Sequence, residues 1–165
     1  MRHLNHKLVD PPAPASQAAE GEATLRQPRD KPGVLVVDDE NLVRIMLQLG
    51  LERSSFEVWL ACNGREAIHL YRKHRDRIDV VLLDVRMPGL DGPQTLDVLR
   101  ELNPKVLACF MTGDTGAYHL EELRQRGAAH VIAKPFRLEQ LAAILRLLVN
   151  GAPADYLPSG FGSQR

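Results

Sequence analysis

The sequence has no excess of charge of either sign, no cysteine framework and no long apolar run. Lys plus Arg and Asp plus Glu each number 21 among 165 residues, and no helix or block concentrates the basic ones. Without an electrostatic footprint for nucleic acid, direct DNA binding is not expected. Cys62 and Cys109 lie far apart and outside any CxxC pattern, so both are expected as reduced small hydrophobes, which suits the cytoplasm. The start, MRHLNHKLVDPPAP, shows no apolar segment of a secretory leader, and no stretch is long enough to cross a bilayer, so neither secretion nor membrane insertion is expected. Histidines 3, 6, 69, 74 and 119 form no convincing ligand set, and His69 and His74 are expected to be exposed. A nucleotide-binding GxGxxG or GxxxxGK[ST] loop is missing after the first apolar run, where the sequence reads DDEN and would repel phosphate.

The length suits one domain with a sizeable core. Residues 1–31, rich in Pro, Ala and Glu, have too little periodic apolar surface to fold alone and are expected as a flexible tail. Residues 151–165, broken by Gly and Pro, are expected to be a second tail, although Tyr156 and Phe161 could dock. The folded body is placed at 32–150. Within it, VLVV (34–37), VVLL (80–83), VLACFM (106–111) and VIA (131–133) suggest strands buried on both faces, and FEVWL (56–60) a more exposed one. Leu42, Ile45, Met46 and Leu49 mark one helix, and Ala67, Ile68 and Tyr71 a second; Leu96, Leu99 and Leu102 mark a third. Leu141, Ile144, Leu145 and Leu148 mark the last. Each stripe is expected to face the core. Asn63 and Glu66 suggest a helix start, and Gly151 a helix end. Alternation of strand and helix argues for an α/β fold, a doubly wound five-stranded parallel sheet with helices on both faces.

The informative polar residues follow the buried runs. VLVV leads into Asp38-Asp39, VVLL into Asp84, VLACFM into Thr112 and VIA into Lys134. In an open parallel sheet all strand ends lie along one edge, where ligands bind. Three carboxylates, a hydroxyl and an ammonium are thus expected in one cleft. Adjacent acids repel, by ~4 kcal/mol at ~4 Å and an effective dielectric of ~20. Solvent could absorb that repulsion, and so could a hard divalent cation such as Mg²⁺. A carboxylate can attack phosphorus if the charge of the anionic donor is neutralised. A cation held by Asp38, Asp39 and Asp84, with Lys134 opposite, would neutralise it, and Thr112 would donate to the new phosphate. Gly113 leaves room for the donor.

These motifs, VLVVDDEN, ACNGREAI, VVLLDVRMPGLDG, VLACFMTGD and GAAHVIAKPF, resemble in sequence and order the receiver domain of two-component response regulators, of the single-domain chemotaxis type. The resemblance covers roughly residues 33–150 and implies a flavodoxin-like receiver fold. It also implies that Asp84 is the phosphoacceptor, that Asp38 and Asp39 form the metal pocket with Asp39 the more direct Mg²⁺ ligand, and that Arg86 offers its backbone carbonyl. Thr112 becomes the switch hydroxyl and Lys134 the phosphate contact, with Lys134–Pro135 in cis. A sensor histidine kinase or phosphotransfer protein would donate the phosphoryl group, and the domain would assist its own phosphorylation and dephosphorylation. Output would pass to a downstream protein through the 115–149 face, which could also form a homodimer.

The resemblance breaks at one position. Receiver domains usually carry Tyr or Phe three residues before the lysine, where Val131 stands here and cannot swing a ring. Strand alternation points its neighbour His130 to the other face. Arg86 and Asp114 could pair across the mouth of the cleft or remain solvated charges worth little. A haloacid-dehalogenase-type phosphatase would need an acid two residues after the nucleophile, where Arg86 stands. The remaining alternative is a receiver-like binding module that acts without phosphorylation.

Overall fold

The computed structural model describes residues 30–113 and 118–152. The expected tails fall almost wholly outside this range, as do Asp114, Tyr156 and Phe161. Five strands alternate with five helices: β1 (Gly33–Val37), α1 (Asn41–Arg53), β2 (Glu57–Ala61), α2 (Gly64–His74), β3 (Val80–Asp84), α3 (Gly92–Leu102), β4 (Ala108–Thr112), α4 (Leu120–Gln125), β5 (His130–Ala133) and α5 (Leu138–Val149). All strand pairs are parallel, in the order β2-β1-β3-β4-β5. The doubly wound parallel sheet expected from the alternating pattern is therefore present, in the flavodoxin-like form that the resemblance implied, with β2 on an edge.

Burial on both faces explains the continuous apolar runs. Val34, Val36, Leu82, Cys109 and Ile132 pack under α1 and α5. Leu35, Val37, Leu83, Phe110 and, partly buried, Val131 pack under α2, α3 and α4. His130 and Val131 do point to opposite faces, since Val131 joins the second cluster and Ile132 the first. His130 is half-buried with no hydrogen-bond partner for Nε2 among the described residues, and burial, with the charge of Arg124, pushes its pKa down.

Local signals act where expected. Asn63 caps α2 by accepting from the Glu66 amide at 2.9 Å, while the Glu66 carboxylate accepts from the Cys62 amide at 2.7 Å. Gly151 follows α5 with φ of 78°, a left-handed conformation that glycine adopts without strain. The start of α3 is fixed by a capping box between Asp91 and Gln94. There Gly92 permits a close approach, because an added Cβ would lie 2.3 Å from the Asp84 carbonyl oxygen.

Three expectations fail. The α1 stripe Leu42, Ile45, Met46 and Leu49 does not face the core; Leu47 and Leu51 do, with Val43 partly buried beside them. In NLVRIMLQLGL two stripes overlap at helical spacing, and periodicity cannot choose between them. Cys62 is exposed rather than a buried hydrophobe, because it lies past the end of edge strand β2; Cys109 is buried, which pushes its thiol pKa up. His74, expected to be exposed, is half-buried and stacks on Trp59 with ring centroids 5.5 Å apart.

The assignment of α1 faces is directly testable. Leu47→Ala should cost about 2–5 kcal/mol, as a core truncation does. Leu42→Ala should stay within about 0.5 kcal/mol, as for a surface position. Equal shifts in the denaturant midpoint would contradict the assigned faces.

Candidate functional site

Register brings the polar residues together. Val37 pairs with Leu83, so Asp38, the next residue, comes level with Asp84 at the end of β3. Asp84 pairs with Met111 and Thr112 with Ala133, which brings Thr112 and Lys134 to the same edge. The chain reverses its winding between β1 and β3, the point at which open α/β sheets bind ligands.

Lys134 is the hub. Its Nζ donates to Asp84 Oδ1 at 2.6 Å and to Asp38 Oδ2 at 2.9 Å. The other oxygens also accept: Asp38 Oδ1 from the Glu40 amide and Asp84 Oδ2 from the Arg86 amide, each at 2.9 Å. Asp38, Asp84 and Thr112 are all buried, at 0%, 7% and 5% exposure. Buried charges require such pairing, because each costs several kcal/mol to desolvate. The Lys134–Pro135 bond is cis, as the resemblance implied.

The two charges respond differently. Burial pushes the Asp84 pKa up, and the Lys134 ammonium only partly offsets it; the nearby Asp38 adds to the rise. Burial opposes the Lys134 ammonium too, but hydrogen bonds to both carboxylates, and their charges, hold its pKa above the usual lysine value. Asp84 is thus harder to ionise than an exposed aspartate, whereas Lys134 is held charged.

The remaining expected residues sit at the margins. Asp39 is exposed and lines a cleft of about 340 Å³ with Asn63, Arg65, Pro88 and Leu90. Arg86 is exposed in the turn after β3. Its expected ion pair with Asp114 lies outside the described residues. Thr112 Oγ1 is buried without a hydrogen-bond partner among the described residues, an unusual state for a hydroxyl. Among the described residues no three His, Cys, Asp or Glu side chains already converge on a common point that could hold a metal. Two acids do converge, with Lys134 between them and Asp39 at the rim. The donors are hard oxygens, the type that Mg²⁺ takes, and Asp38 and Asp84 each retain lone pairs.

One supporting residue was not anticipated from sequence. Arg44, on the first turns of α1, donates from Nη1 to the Asp38 carbonyl at 2.7 Å and from Nη2 to Asn41 Oδ1 at 3.0 Å, bracing the acidic turn. A basic residue just after an acidic turn was the available signal, but it identifies no backbone partner.

The pairing predicts an asymmetry in stability. Lys134→Met leaves two buried carboxylates facing each other and should cost about 3 kcal/mol, the range for breaking a buried pair. Asp84→Asn removes a charge whose folded pKa is raised; ionised Asp84 opposes folding at neutral pH, and the opposition fades as pH falls through that pKa. Thermal melts at neutral pH should therefore show Asp84→Asn near or above wild type, with the double variant recovering much of the Lys134→Met loss. A double variant no more stable than Lys134→Met would refute the coupling.

Comparison with known proteins agrees with this geometry. The sequence model of the family described as "Response regulator receiver domain" matches residues 34–146. The chain is 36% identical over 113 residues to the regulatory protein AtoC of Escherichia coli, covering 68% of this chain but 24% of that protein. It therefore corresponds to a small part of that longer relative. It is 30% identical over 125 residues to the sporulation initiation phosphotransferase F of Bacillus subtilis, covering 76% of this chain and 93% of that one. Among solved structures, Vibrio cholerae chemotaxis protein CheY4 superposes with a TM-score of 0.65 at 30% identity, over 70% of this chain and 97% of that chain. CheY in the CheX–CheY–BeF3–Mg²⁺ complex of Borrelia burgdorferi superposes with a TM-score of 0.63 at 25% identity, over 72% and 87% of the two chains. With the family match extending over most of the described residues, the chain belongs to the response regulator receiver domain family and is a signalling domain of the two-component, phosphorelay type.

Proposed function

We propose that Asp84 accepts a phosphoryl group from a sensor histidine kinase or phosphotransfer protein. The observation that carries this reading is the buried Asp84 carboxylate, 2.6 Å from the Lys134 ammonium at the sheet's ligand-binding edge. An Asp84 oxygen attacks phosphorus, the bond from phosphorus to the donor's leaving atom breaks, and an acyl phosphate results. Lys134 balances the added negative charge, and the Thr112 hydroxyl, without a hydrogen-bond partner among the described residues, is available to donate to a phosphoryl oxygen. Asp38, Asp39, Asp84 and the Arg86 carbonyl would hold Mg²⁺, which supplies charge neutralisation at the transferring group. The same groups would assist later hydrolysis.

The signal would leave by protein contact, as a stand-alone regulator in the cytoplasm, through the 115–149 face to a downstream protein or a second copy. Balanced charge supports protein rather than nucleic-acid partners, and no helix among the described residues is long and apolar enough to cross a membrane. The second reading, a binding module that acts unphosphorylated, draws support from Val131 in place of an aromatic.

Intact mass after incubation with acetyl phosphate and Mg²⁺ separates the two readings. One added phosphoryl group, absent in Asp84→Asn and with chelator, is expected; no addition to folded protein would favour the binding module. Thr112→Val should slow labelling without lowering the melting temperature, since the hydroxyl it removes has no hydrogen-bond partner among the described residues. Mg²⁺ should raise the melting temperature by binding the folded state. Asp38→Ala and Asp39→Ala should lose that response, and an unchanged one would exclude these ligands.

A further inference from the structure

Balanced composition conceals an uneven distribution of charge. The 13 residues from Arg65 to Arg77 hold five of the chain's 21 cationic side chains, Arg65, Arg72, Lys73, Arg75 and Arg77, against two acids, Glu66 and Asp76. All five cations are exposed. The remainder of the chain is acidic by the same excess of three charges. The expectation that no helix concentrates basic residues therefore fails at α2, because a count over the whole chain averages this helix with its acidic surroundings.

Two of these cations are occupied within the fold. Arg77 pairs with Glu57 and lies 5.5 Å from the centre of the Trp59 ring, which stacks on His74. Arg75 sits 3.7 Å from Asp76, in a pair so exposed that it is worth little. The Glu66 carboxylate is turned to the Cys62 amide. Arg65, Arg72 and Lys73 make no ion pair or hydrogen bond among the described residues. With His69, also exposed, they form one stripe: at about 100° per residue they fall within an arc of about 100°, and at 1.5 Å per residue the stripe runs about 12 Å. Ala67 and Tyr71 hold the opposite face of the helix on the core. The fold does not account for the stripe. Cations in the last turn complement the helix dipole, but Arg65 stands in the first turn, where it opposes the dipole, and the cations repel one another along the stripe.

We propose that the outer face of α2 docks the acidic surface of a partner protein, with Arg65, Arg72 and Lys73 taking its carboxylates. Arginine guanidinium groups bind carboxylates through two parallel hydrogen bonds, and acids three and four residues apart on a partner helix make a row of matching spacing. Other polyanions fit less well. Trp59 is already stacked by His74 and Arg77, and Tyr71 is buried, so neither ring is offered to a nucleic-acid base. Among the described residues none of the large exposed apolar side chains lies on α2, so nothing on this face would enter a lipid surface. The face lies across the sheet from α1 and α5 and outside the 115–149 segment. The proposal does not rest on phosphorylation of Asp84.

The test titrates the full, isotope-labelled chain with an alanine-rich helical peptide carrying glutamate at i, i+4 and i+7. At low salt the amide signals of residues 64–75 should shift, and added salt should weaken the binding steeply. Arg65→Gln plus Arg72→Gln plus Lys73→Gln should lower the affinity on the order of tenfold. The same loss of charge elsewhere, Arg53→Gln plus Lys105→Gln plus Arg137→Gln, should lower it less than about twofold. All six positions are exposed, so both variants should melt with the parent. No shift on α2, or equal weakening by the two variants, would overturn the proposal. So would tighter binding, at the same residues, of a duplex oligonucleotide or of phosphatidylglycerol vesicles, which would make the stripe a nucleic-acid or a membrane contact. A shift of these signals with protein concentration alone would overturn it in favour of a second copy.

Discussion

One ammonium group holds two buried carboxylates together at the edge of the sheet, and the site is arranged around that contact. Lys134 touches both Asp38 and Asp84, which come from different strands, and its own strand is separated from theirs by β4. Neither acid could be desolvated as an anion without it. Because the remaining oxygens are occupied by the Glu40 and Arg86 amides, the orientation of each carboxylate is fixed from two sides. Such fixed polar groups are suited to charge that appears during a reaction, since they need little rearrangement.

That contact depends on backbone features distant in sequence. Parallel pairing sets Asp38 level with Asp84, and Gly92 lets the start of α3 approach the Asp84 carbonyl. Arg44 holds the acidic turn from the other side through the Asp38 carbonyl. Thr112 stands apart as the buried hydroxyl in the cleft without a partner among the described residues. A polar atom in that condition costs stability at rest and is available for a new acceptor.

The helix after β1 is apolar on two faces. Its inner face, through Leu47 and Leu51, closes the core over the sheet, whereas Leu42, Ile45, Met46 and Leu49 on its outer face are exposed. Periodicity therefore could not assign the faces of α1, because a helix apolar on both sides satisfies the core pattern twice.

Most of the fold was legible in the sequence, because strands buried on both faces must be continuously apolar and the punctuation between them is chemical. Asn63 and Gly151 marked helix boundaries through capping geometry that is local and so survives without tertiary context. Residue types at the strand ends identified Asp38, Asp84, Thr112 and Lys134 as one group, since parallel strands share an edge. Tertiary structure alone decided that Lys134 bridges two acids while Asp39 stays exposed, that Arg44 reaches a backbone carbonyl, and which stripe of α1 is buried. These depend on register and on distances between chain segments far apart in sequence, and a one-dimensional pattern does not contain them.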